Sequence, residues 1–142
     1  MSNLKSKLVG SWSLIEWSAI LNGSDKIYPM GKNVNGMIIY TSEGFMSANI
    51  LSMERLDFIP QGVTLASMFE GNGAYLSYAG KYSVNDEKSY AVHYVKISSC
   101  PEWLNTEQKR NLKVDGNELI INSDTESGSM QFSHTLTWER MI

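Results

Sequence analysis

Eight runs rich in β-branched, aromatic and apolar residues, six of them followed directly by turn-forming residues, constrain the fold of this chain more than any other feature. LVGSWSLIEWSAIL gives way to NGSD, and GMIIYTS to EG and then FMSANILS. AYLSYAGKYSV gives way to NDEK and SYAVHYVKI to SSCPEWLNTE; QKRNLKV, ELIINS and MQFSHTLTWER follow, separated by DGN and DTESG. Strand, turn and strand at intervals of about 8–15 residues is the pattern of an antiparallel meander. The EG pair reads as a two-residue hairpin in which Gly44 takes a positive φ.

One stretch breaks the alternation. MERLDFIPQGVTLASMFEGN, residues 53–72, contains a segment, 63–69, suited to one or two helical turns, with Thr64 as N-cap and Gly71 as stop. A short helical insertion near residues 53-72 is therefore expected, as a lid or plug at one end of the domain or as a plain crossover. Its apolar residues, Phe58, Ile59, Leu65, Met68 and Phe69, require burial.

Locally connected strands leave an up-and-down barrel or a sandwich, and closure removes the long Tyr-, Ile- and Val-rich edges that would otherwise invite aggregation. The expected fold class is all-β, a closed antiparallel up-and-down β-barrel of about 8–10 strands. A barrel of about eight strands encloses packed side chains or one small ligand.

Composition narrows the partners. With 142 residues the chain suits a single domain, which buries roughly 70% of its unfolded surface. A net charge of -3, with 12 scattered Lys and Arg, argues against nucleic acid. No run approaches the ~20 apolar residues of a membrane-spanning helix, so no membrane partner is expected. The start, MSNLKSKLVGSW, lacks a signal-peptide apolar run, and the single cysteine, Cys100, forms no internal disulfide. A cytoplasmic location is the expectation, with Cys100 an inert small hydrophobe.

Gly10-Ser11-Trp12 opens the first strand and Trp138-Glu139-Arg140 closes the last. This pairing resembles the lipocalin and fatty-acid-binding (calycin) superfamily, in which an indole plugs the closed end and a guanidinium stacks on it. The finer likeness is to the lipocalin-like domain family of bacteria and fungi, over residues 8–140. It rests on Tyr40-Thr41 through Gly44-Phe45-Met46-Ser47, Tyr78-x-Gly80-x-Tyr82, His93 with Val95, Pro101-x-Trp103, Thr106-x-Gln108-x-Arg110 and Trp138-Glu139-Arg140. Asn105 departs from the pattern, where glycine is expected before Thr106. The resemblance implies a fold rather than an activity, with Gly10, Trp12, Trp138 and Arg140 closing the barrel.

Period-two alternation then selects inward residues. With Lys96 outward, His93, Val95 and Ile97 face in; with Lys113 outward, Arg110, Leu112 and Val114 do. Phe132, His134, Leu136, Trp138 and Arg140 share a face, and Tyr78 and Tyr82 share one with Gly80, whose bare backbone leaves room for a ligand or a neighbouring ring. Glu16 shares a face with Trp12, and Trp17 falls on the outer face or a packed edge. The candidate ligand-binding set is Glu16, Tyr40, Tyr78, Tyr82, His93, Arg110 and His134, in an apolar surround. The opposing reading makes Glu16 and Arg110 a buried ion pair and has the histidines bond to tyrosines, filling the barrel. Trp103 is read as the anchor of a long loop, with a place at the barrel mouth as the alternative.

Other chemistries find little support. Two histidines without HxH or HxxxH spacing suggest no metal site, and no cofactor is expected; haem on one axial histidine stays open. GKNVNG lacks the Gly-Lys-Ser/Thr ending of a phosphate loop, and Ser42 and Ser47 lie in a hairpin rather than on a hydrolase elbow. Three functions remain. One is an intracellular barrel holding a small, largely apolar ligand, with Arg110 neutralising a carboxylate. The second is a cofactor-free isomerase or cyclase using the same cavity, with His93 as general base or acid, Glu16 as its partner or the base itself, and Arg110 with a tyrosine stabilising an enolate. The third acts through the outer surface, as a homodimer pairing through Trp17 and tyrosines.

Overall fold

The structure, a computed structural model, describes residues 3–53 and 75–141; the helical insertion expected near 53–72 lies almost wholly outside these described residues. The chain runs α1 (Leu4–Leu8), β1 (Gly10–Leu21), β2 (Asp25–Ile27), β3 (Val34–Tyr40), β4 (Phe45–Ser52), β5 (Tyr75–Asn85), β6 (Tyr90–Ser98), a 3-10 turn (Pro101–Trp103), β7 (Glu107–Asp115), β8 (Glu118–Ser127) and β9 (Met130–Arg140). Each of the eight alternating runs lies on one long strand.

From β3 to β9 every strand pairs antiparallel with its sequence neighbour, β1 pairs with β3, and β1 with β9 closes the sheet into an eight-strand barrel. The short β2 is the extra strand, hairpinned onto the end of β1 through Asn22 at φ 50 and Gly23 at φ 77. Residues 41–44 join β3 to β4, so the hairpin loop is longer than the EG pair alone suggests. Thr41 starts it by accepting the Phe45 N–H on its side chain, and Gly44 takes φ 98 as its sequence implies.

Alternation fails at two bulges, and both correct a predicted face. In β1 the register against β9 shifts between Leu14 and Glu16, leaving Ile15 as an extra, exposed residue. Trp12 and Leu14 stay inward, but Glu16 turns to solvent and Trp17 turns in. In β6, Ala79 pairs with Ile97 while Gly80 pairs with Val95, so Lys96 is extra and Ile97 is 67% exposed rather than inward. A Cβ on Gly80 would lie 1.9 Å from the Tyr94 carbonyl oxygen. The glycine thus makes room for the neighbouring strand's backbone, not for a ligand or a ring.

One end is sealed as the terminal residues imply. Trp12 is wholly buried and donates its indole N–H to the Leu8 carbonyl at 2.9 Å. Arg140 stacks 4.2 Å from the Trp12 ring centroid and donates to the carbonyls of Val9 and Lys7. Gly10, at φ 132, is required here, because a Cβ would come within 2.7 Å of the guanidinium. Trp138 packs between Leu14 and Leu119 on the adjoining strands. Helix α1, capped by the Asn3 side chain, lays its buried Leu8 beneath this plug.

Candidate functional site

The interior above the plug holds a cavity of about 320 Å³. Its two walls follow from strand register. On one side Ile38 of β3 pairs with Ala48 of β4, which pairs with Tyr78 of β5, while Ile50 pairs with Leu76. On the other, Ile121 of β8 pairs with Leu136 of β9, and Ser123 pairs with His134. Trp17 from β1, Trp103 from the 3-10 turn and Arg110 from β7 complete the enclosure, with Trp138 at its plugged end and Thr125 beside His134.

Of the candidate ligand-binding residues, the cavity brings together Tyr78, Arg110 and His134. Tyr40, Tyr82 and His93 also point inward, but they are packed beside the cavity rather than on its surface. Glu16 lies outside the barrel, with its nearest carboxylate oxygen 3.9 Å from Lys26 Nζ and its side chain 48% exposed. The buried Glu16–Arg110 ion pair therefore does not form. Trp17, assigned to the outer face by simple alternation, is a cavity residue and adds nothing to an outer dimer surface. Trp103 serves the mouth as well as its loop, packing edge-on to Tyr78 at 5.3 Å between ring centroids.

Arg110 is the cavity's cation. Its guanidinium lies 5.6 Å from the Trp103 ring centroid and beside the Tyr78 hydroxyl. One guanidinium nitrogen donates to the Lys109 carbonyl at 3.1 Å, and no carboxylate among the described residues pairs with it. The aromatic faces hold the charge in place without neutralising it.

His93 is fully buried, with Nε2 2.7 Å from the Tyr40 hydroxyl and Nδ1 2.8 Å from the Tyr78 hydroxyl. Burial, reinforced by the charge of Arg110, lowers its pKa from the ordinary 6.5 to about 3, so the ring is neutral. Burial likewise pushes the Tyr40 and Tyr78 phenols up, and both stay protonated. With both nitrogens occupied, His93 offers no lone pair to a haem iron. Among the described residues no group of three or more His, Cys, Asp or Glu could hold a metal ion.

His134 is half-buried on the opposite wall. The Trp17 indole N–H donates to its Nδ1 at 3.0 Å, Nε2 lies 2.9 Å from Thr125 Oγ1, and Phe132 stacks on the ring. Desolvation first, and Arg110 second, lower its pKa. The partners Trp17, Ser123 and Thr125 escaped sequence reasoning. Ser123 and Thr125 follow from extending the inward alternation of Leu119 and Ile121 along β8; Trp17 had no signal, because nothing in the residues marks the bulge.

The turn after Trp103 explains its departure from the family pattern. Asn105 sits at φ 62, the left-handed conformation that asparagine tolerates and glycine takes by default. Barrel, plug and turn thus match the lipocalin-like pattern from end to end, and the profile of the lipocalin-like domain matches residues 9–141. The chain belongs to the lipocalin-like domain family. No curated protein matches it. As a lipocalin-like barrel it carries an internal cavity suited to ligand binding, and no helix among its described residues is long and apolar enough to cross a membrane.

Proposed function

We propose that this lipocalin-like barrel is an intracellular carrier or sensor of a small, largely apolar molecule bearing an anionic head group. The observation that carries the reading is Arg110: a guanidinium facing a largely apolar cavity, framed by Trp103 and Tyr78, without a carboxylate partner among the described residues. A cation held in an apolar site gains most from an anion brought by the ligand. The cavity, at about 320 Å³, is at the small end of ligand sites and suits a compact aromatic or short-chain acid.

The isomerase or cyclase reading needs His93 and Glu16 to converge on one void. They lie on different sides of the barrel wall, and His93 has both nitrogens engaged by tyrosines. Binding requires neither residue to react.

The test is calorimetric titration with aromatic and medium-chain carboxylic acids, on the native chain and on Arg110→Met. Native binding that weakens about tenfold or more in the variant is expected, the cost of losing a charge-assisted contact. Silence across a diverse panel overturns the reading, and so does equal affinity in the two proteins.

A further inference from the structure

The hydrogen bonds around the two histidines assign a direction to the cavity's hydroxyl groups. A neutral imidazole has one N–H and one lone pair, so of two hydroxyls on one ring, one donates and the other accepts. Tyr40 is 1% exposed, and among the described residues His93 is the sole partner of its hydroxyl. Were Tyr40 to accept from the ring, its own proton would be buried without an acceptor, the costly arrangement. Tyr40 therefore donates to Nε2, Nδ1–H donates to the Tyr78 oxygen, and the Tyr78 proton is left over. Tyr78 lines the cavity beside Arg110, which has only donors and cannot take that proton.

The second histidine is wired by the same logic. An indole N–H can only donate, so His134 Nδ1 accepts from Trp17, and Nε2–H points to Thr125 Oγ1. Among the described residues the Thr125 proton then has no acceptor either. Arg110, Tyr78 and Thr125 thus all offer donors to one void, and no carboxylate or carboxamide among the described residues lines it.

We propose that Tyr78 is a ligand-binding hydrogen-bond donor whose proton the buried Tyr40–His93 pair turns into the cavity, so that the site selects oxyanion head groups over isosteric ammonium groups. The inference rests on the reading of the barrel as a binder of anionic ligands and deepens it. It names a specificity residue on β5 and makes His93 a positioning residue that acts through Tyr78.

Two experiments on the full chain test it. Long-range nitrogen–proton NMR of the imidazoles should find the proton of His93 on Nδ1 and that of His134 on Nε2. A proton on His93 Nε2 overturns the proposal, whatever binding shows. Calorimetry with a matched series, 2-naphthoate, 2-methylnaphthalene and 2-naphthylmethylammonium, should rank the carboxylate tightest and the ammonium weakest. Tyr78→Phe should weaken naphthoate about tenfold or more and leave methylnaphthalene unchanged. An equal loss for both probes overturns it. Methylnaphthalene binding native protein as tightly as naphthoate also overturns it, while leaving apolar binding standing; no binding of any of the three overturns this proposal, and silence across the wider acid panel as well brings down the binding reading with it.

Discussion

His93 and Glu16, the two residues on which acid–base chemistry would depend, are placed by their surroundings in opposite states. His93 is locked neutral between two phenols, with a pKa of about 3 against an ordinary 6.5. The unfolded chain binds a proton at this histidine below pH 6.5 that the folded chain refuses until about pH 3, so stability is full above 6.5 and falls as the pH drops through that window. Thermal unfolding between pH 7 and 5 should show the decline, approaching about 1.4 kcal/mol per pH unit for this one group. His93→Gln should make it shallower, leaving the part that His134, whose pKa burial also lowers, contributes in the same direction. An unchanged slope in that variant would show that other groups carry the dependence. Glu16, facing water and loosely paired with Lys26, should be expendable. Glu16→Gln is expected to change stability by under about 0.5 kcal/mol and ligand affinity not at all, as denaturant melts and calorimetry would report.

At the scale of the element, two bulges decide which side chains meet. The extra Ile15 in β1 exchanges the faces of Glu16 and Trp17, and the extra Lys96 in β6 sends Ile97 outward. The second bulge presses the Tyr94 carbonyl against Gly80, where any side chain meets backbone rather than a movable group. Gly80→Ala should therefore destabilise the protein by about 3 kcal/mol, the upper range for overpacking, measured by chemical denaturation. A neutral effect would mean that β5 and β6 can part at this point. The strands themselves were legible in the residues, because alternation and turn chemistry act within a few positions of each other. The bulges were not, since a bulge satisfies the register of a partner strand distant in sequence: β1 bulges to match β9.

At the scale of the molecule, the barrel is closed by its two ends. β1 pairs along its length with β9, and Arg140 on Trp12 ties the last strand to the first at the plug. Arg140→Met retains the apolar stem but loses the stacking charge and the donors to the Val9 and Lys7 carbonyls. It should cost about 2 kcal/mol or more, with the thermal midpoint lowered and the cavity's ligand preference unaltered. A variant as stable as the native chain would show that strand pairing alone holds the closure. The eight alternating runs, the Gly-x-Trp at one terminus and the Trp-Glu-Arg at the other were sufficient to specify barrel, plug and family, because each is a local pattern with one economical tertiary solution. Inward residues on straight segments, Tyr78, His93, Arg110 and His134, were legible for the same reason. Only the tertiary structure decided that Glu16 leaves the interior and Trp17 enters it, that Arg110 faces the cavity without Glu16, and that each histidine is satisfied by partners on other strands. Those outcomes depend on register between strands and on hydrogen-bond direction across the barrel, and neither is encoded in the spacing of residues along one strand.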